Sequence, residues 1–166
     1  MAATVEQYLS TAYSPDCEFV DGVVLERHVG QRSHSTVLGE LSCWFYSRRR
    51  ELGIWVYPTL RVRVKPTRVR VPDVCVVAGE EPQEQILTKP PFLCIEILSP
   101  DDRMSELLDK IGDYLEFGVR YVWVLDPNSR RTWVHTAAGS HEVRDPVLRT
   151  DNPEIAVPLA EIFAEL

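Results

Sequence analysis

Residues 92–126 constrain the fold more than any other part of the chain. Two short apolar runs, FLCIEILS (92–99) and YVWVLD (121–126), flank a segment of helical periodicity. Runs of that length, rich in β-branched and aromatic residues, suit strands buried within a sheet. Between them Met104, Leu107, Leu108, Ile111 and Leu115 form an apolar stripe, so a helix is expected over about 103–117. Asp101 or Asp102 would cap its start, and Gly118 would stop it. A strand, a crossover helix and a second strand belong in an α/β sheet.

The flanking segments fit around that unit. A short helix is expected over 4–12, followed by CEFVDGVVLERHV as a hairpin turning at Asp21-Gly22. Ser33 or Ser35 would cap a helix that carries Val37, Leu38, Leu41, Trp44, Phe45 and Leu52 on one stripe and stops at Gly53. IWVYPTLRVRVKPTRVRVPDVCVVA reads as strands turning near Lys65-Pro66-Thr67, and TWVHTA as the hairpin partner of 121–126. LAEIFAEL closes the chain as a short helical piece. With 166 residues and no internal repeat, one α/β domain over 1–166 is expected, a mixed sheet flanked by helices.

Composition narrows the class. A net charge of −7 argues against a protein that coats nucleic acid non-specifically, although a local basic face can coexist with it. No stretch approaches the roughly 20 apolar residues of a membrane helix, so a spanning protein is not expected. MAATVEQYLS lacks the basic and apolar regions of a signal peptide. Cys17, Cys43, Cys75 and Cys94 are widely spaced, which favours free thiols and a cytoplasmic chain.

Two carboxylates stand in apolar surroundings. Glu96 lies between Ile95 and Ile97 in the first buried run, and Asp73 lies between Pro72 and Val74 at the mouth of VCVV. Ionised carboxylates there cost several kcal/mol unless compensated, and a divalent Mg²⁺ or Mn²⁺ would relieve both burial and mutual repulsion. Lys110, on the flank of the helix stripe, can reach toward Glu96 and would stabilise charge developing on a phosphate. Spacing alone leaves plainer roles open. Asp73 can end a turn, Glu96 can pair with an arginine, and Lys110 can pair with Glu106 or Asp113 in solvent. His34 can serve as a capping group, and Tyr114 as a core tyrosine with a satisfied hydroxyl.

RVPDVCVV, PPFLCIEILSP and DKIGDYLEFGVRYVWVLDP, in that order, resemble the small restriction endonucleases of the Uma type, a branch of the PD-(D/E)xK nuclease superfamily. The likeness runs from about residue 5 to 165, through CEFVDGVVLE upstream and PLAEIF downstream. It implies a restriction-endonuclease-like fold and a metal-dependent endonuclease acting on DNA and leaving a 5′-phosphate. Asp73 and Glu96 would be the acidic motif residues, holding Mg²⁺ (or Mn²⁺) with the backbone carbonyl of Ile97. The superfamily's lysine, two positions after the second acid, is replaced by Leu98, and Lys110 of the following helix would take its part. Glu18, with Glu40 second, is the candidate for a further acidic group.

Arg61, Arg63 and Lys65 alternate with valines, and Arg68 and Arg70 follow across the turn. These five are the candidate nucleic-acid-binding surface, with Arg48, Arg49 and Arg50 nearby. A solvated sheet face protected against edge association has the same pattern. A homodimer is expected, because paired sites commonly cut the two strands of a duplex. The rival is a non-catalytic module of nuclease fold that binds nucleic acid or a protein partner.

Overall fold

The computed structural model describes residues 2–28 and 30–166. The chain begins with α1 (Val5–Leu9), the hairpin β1 (Cys17–Val20) and β2 (Val23–Glu26), and the long helix α2 (Arg32–Leu52). Then come β3 (Ile54–Pro58), β4 (Val62–Lys65), β5 (Arg68–Arg70), β6 (Val74–Ala78) and β7 (Leu93–Ile97). Helix α3 (Met104–Phe117) leads to β8 (Tyr121–Asp126), β9 (Arg131–Thr136) and β10 (Gly139–Val143). The hairpin β11 (Val147–Thr150) and β12 (Ile155–Pro158) and the short α4 (Leu159–Ile162) complete it.

The strands make a six-stranded sheet, β10-β9-β8-β7-β6-β3, a four-stranded sheet, β2-β1-β5-β4, and the two-stranded β11-β12. In the large sheet only β7 and β8 run parallel, joined by α3, so it is mixed. Strand β7 is buried along its whole length because both of its faces are covered. Leu93, Ile95 and Ile97 pack toward Val37, Leu41, Trp44 and Phe45 of α2. Cys94 points the other way, into a second core with Ile111 and Tyr114 of α3 and Val62 and Val64 of β4. Period two along β7 therefore sends Glu96 to the α3 side with Cys94.

The Asp21-Gly22 turn forms as expected, with φ of 49° and 93° at its two residues, the left-handed pair that a two-residue hairpin needs. Other expectations shift. Helix α1 stops at Leu9 rather than residue 12, started by a capping box between Thr4 and Gln7. Neither Ser33 nor Ser35 caps α2, whose N-cap is Gln31, and neither Asp101 nor Asp102 caps α3, whose N-cap is Arg103. Asp102 instead accepts from the amide of Ser99. Met104 and Leu108 belong to no core, being 63% and 54% exposed. Helix α3 spends its inward face on Ile111, Asp113 and Tyr114, the last two of them polar-tipped groups with buried partners. Strands 54–78 divide between two sheets rather than building one, and β10, β11 and β12 add to the strands read from the sequence. All four cysteines are unpaired. Among the described residues no helix is long and apolar enough to cross a membrane.

Candidate active site

Strand register brings the two unusual carboxylates together. Strands β6 and β7 are antiparallel with Val74 opposite Ile95, so one residue further Asp73 lies beside Glu96. The contact is made directly when the Ile97 amide donates to Asp73 Oδ2 at 2.8 Å. Both carboxylates are buried, at the floor of a cleft of about 390 Å³ also lined by Ile97 and by the first turns of α3.

Helix α3 supplies the groups that hold Glu96. Lys110 and Tyr114, four residues apart, sit on one face of the helix over β7. The Lys110 ammonium donates to Glu96 Oε2 at 2.9 Å, and the Tyr114 hydroxyl donates to Oε1 at 2.7 Å. Lys110 also reaches Glu18 Oε1 at 2.9 Å, so the lysine bridges the two sheets. Glu18 is further tied to the Val71 amide and to Arg70. Tyr114 takes the role of a core tyrosine with a satisfied hydroxyl, and the partner that satisfies it is Glu96. Of those open to Lys110, the partners are Glu96 and Glu18 rather than Glu106 or Asp113.

The charges follow from this packing. Burial, with the negative charges of Asp73 and Glu18 nearby, outweighs the Lys110 ammonium and pushes the Glu96 carboxyl up to about 7. Burial works the same way on Glu18, but Lys110 and Arg70 prevail and hold it below the usual carboxylate range. Asp73 is likewise held low against its burial, by His34, Lys110 and Arg27. Lys110 stays protonated, because Glu18, Glu96 and Asp73 more than repay its desolvation.

Two partners of Asp73 carry no local sequence signature. Arg27, just past the end of β2, donates to Asp73 Oδ1 at 2.6 Å. His34, in the first turn of α2, brings Nε2 to 3.4 Å from Oδ2, which raises its own pKa. His34 makes no cap for α2 and turns to Asp73 instead. Glu40 does not line the cleft.

The five cations read as one basic face do not form one. Arg61 pairs with Asp16 at 3.0 Å and lies over the Tyr8 ring of α1, while Arg63 folds back onto the Pro66 carbonyl. The alternation of β4 holds, with Val62 and Val64 buried, but Lys65 at the end of the strand pairs with Asp113 and Glu116 of α3. Arg68 spans Asp21 and Asp113. Arg70 is 3% exposed and donates to Glu18, Asp113 and Asp109. Lys65, Arg68 and Arg70 tie the four-stranded sheet to α3.

Asp73 Oδ1 and the Glu96 carboxylate are the oxygens best placed for a hard divalent cation, with Ile97 at the cleft wall. The donor set fits such an ion: all oxygen, two carboxylates, and one of them ill-compensated without added positive charge. Carboxylates also outnumber lysines and arginines along the cleft. Among the described residues no three His, Cys, Asp or Glu side chains close into a cage. An open pair suits Mg²⁺, which keeps several waters and binds through one or two carboxylates plus substrate oxygens.

A family model described as "Uma2: Putative restriction endonuclease" matches residues 5–163. The chain belongs to the Uma2 family. Among solved structures this Uma2 chain is similar to a protein of Anabaena variabilis ATCC 29413 described as "a putative nuclease belonging to DUF820". The two share 21% identity and a TM-score of 0.82, over 97% of each chain, a likeness that establishes the shared fold. No curated protein matches the Uma2 chain.

Proposed function

We propose that the protein is a metal-dependent endonuclease hydrolysing phosphodiester bonds in DNA, with Mg²⁺ or Mn²⁺ held where β6 and β7 meet. The observation that carries this reading is the convergence of Asp73, Glu96, Glu18 and Lys110 on one open cleft. Asp73 Oδ1, Glu96 and the backbone carbonyl of Ile97 would hold the ion. When bound, it supplies a Lewis acid for the phosphodiester and lowers the pKa of the water beside it. Lys110, protonated, donates to the attacking oxygen and balances charge on the phosphoryl group, and it is not the base. Glu18 positions Lys110, and Tyr114 fixes the far oxygen of Glu96. The cut leaves a 5′-phosphate, and a homodimer would present two such clefts to a duplex.

One observation favours the rival, a binding module without activity: Arg27 already neutralises Asp73 at 2.6 Å. Cleavage separates the two. Supercoiled plasmid and single-stranded DNA are incubated with Mg²⁺ or Mn²⁺ and either the native protein or Glu96→Ala. Metal-dependent nicking that disappears in the variant is expected. Equal nicking by both overturns the site, and nicking by neither favours the binding module.

A further inference from the structure

Resting on the proposed cation site, we infer that Arg27 is the residue that grips the DNA phosphate, and that it is parked on Asp73 until a cation displaces it. The four carboxylate oxygens of Asp73 and Glu96 are not equally available. Glu96 Oε1 is held by the buried Tyr114, Glu96 Oε2 by Lys110, and Asp73 Oδ2 by the Ile97 amide with His34 of α2 beside it. Asp73 Oδ1 alone is held by a side chain from irregular backbone that reaches solvent, the 20% exposed Arg27.

A guanidinium and a divalent cation cannot share one oxygen at close range, because the two like charges repel across a few ångström. The partner able to leave is Arg27. Lys110 is fixed between two buried carboxylates, and an amide in a strand cannot move. Among the described residues Asp73 is the one ion-pair partner of Arg27, so displacement frees the guanidinium inside the cleft. There it offers parallel N–H donors in the geometry a phosphate takes. The other arginines of the cleft are unsuited: Arg70 is locked by Glu18 and Asp113, and Arg103 stands 78% exposed at the rim. Cation and phosphate binding are then coupled, since each keeps Arg27 off Asp73, and by linkage each tightens the other.

Mn²⁺ affinity, followed by the spin-resonance signal of the free ion, is compared between the native protein, Arg27→Gln and Arg27→Lys. Thermal melting confirms that each is folded. Binding of fluorescently labelled duplex is then measured with Ca²⁺ in place of Mn²⁺. Arg27→Gln is expected to bind Mn²⁺ about fivefold tighter, having lost an internal competitor, and DNA about tenfold weaker. Arg27→Lys should recover part of the DNA affinity. Unchanged or weaker Mn²⁺ binding by Arg27→Gln overturns the competition, and unchanged DNA binding overturns the phosphate grip. A native protein that binds no Mn²⁺ overturns the metal site itself, and this inference with it, through a different measurement.

Discussion

Replacing Arg70 with methionine separates a buried clamp from a DNA contact. In the fold Arg70 donates to Glu18 at 3.0 Å and Asp113 at 2.8 Å, and all three side chains are nearly sealed from water. Its bond to Asp109 adds little, because that carboxylate is 56% exposed. Methionine fills the space but takes one buried counter-ion from each carboxylate, leaving Glu18 to Lys110 and Asp113 to Arg68 and Lys65. Breaking a buried pair from one side costs about 3–5 kcal/mol, since the surviving charge stays desolvated. For a domain of this size that lowers the melting temperature by about 10 °C. Arg63→Met, which gives up one bond to the Pro66 carbonyl, is the control and should stay within about 0.5 kcal/mol. Adding Asp113→Asn to Arg70→Met should cost less than the sum of the two single changes. Urea unfolding gives each value. A loss no larger for Arg70→Met than for Arg63→Met, accompanied by weaker DNA binding, would refute the clamp and restore Arg70 to a nucleic-acid surface.

Three further outcomes are expected. Tyr114→Phe keeps the ring and removes the 2.7 Å bond to Glu96, costing about 2 kcal/mol in urea unfolding above pH 7 and less where Glu96 is protonated. Lys110→Met should lower plasmid cleavage at least ~100-fold while Mn²⁺ binding persists, whereas loss of Mn²⁺ binding would make Lys110 a scaffold for the ion. In chelator, the native state retains the Glu96 proton to about 7 while the unfolded chain releases it in the ordinary carboxylate range, so stability falls as pH rises through that window. His34, raised by Asp73, acts in the same sense, while Asp73 and Glu18, held low, remove stability as pH falls toward strong acid. Melting curves against pH should lose most of the neutral-range slope in Glu96→Gln.

The parts of the site legible in the sequence share one property: they violate their local pattern. A glutamate inside LCIEI and an aspartate at the mouth of VCVV are conspicuous because burial penalises charge. Lys110 was legible because three- and four-residue spacing fixes a helix face. Arg27 and His34 obey their local patterns, one in the segment after a hairpin and one in a helix's first turn, so only tertiary reach reveals them. Arg70 shows the opposite failure. V-R-V-R reads alike whether the arginines face water or buried acids, and the deciding partners of Arg70, Glu18 and Asp113, lie 52 and 43 residues away. Met104 and Leu108 kept helical period but lost the inward face to Lys110, Asp113 and Tyr114, whose partners outweigh two apolar contacts.

Crystals soaked in Mn²⁺, with diffraction recorded at the manganese absorption edge, test the metal site most directly. An anomalous peak is expected within coordination distance of Asp73 Oδ1 and Glu96, about 2.1–2.2 Å, with Arg27 turned away from Asp73. A fully soaked crystal with no peak there, and Arg27 still seated on Asp73, would contradict it.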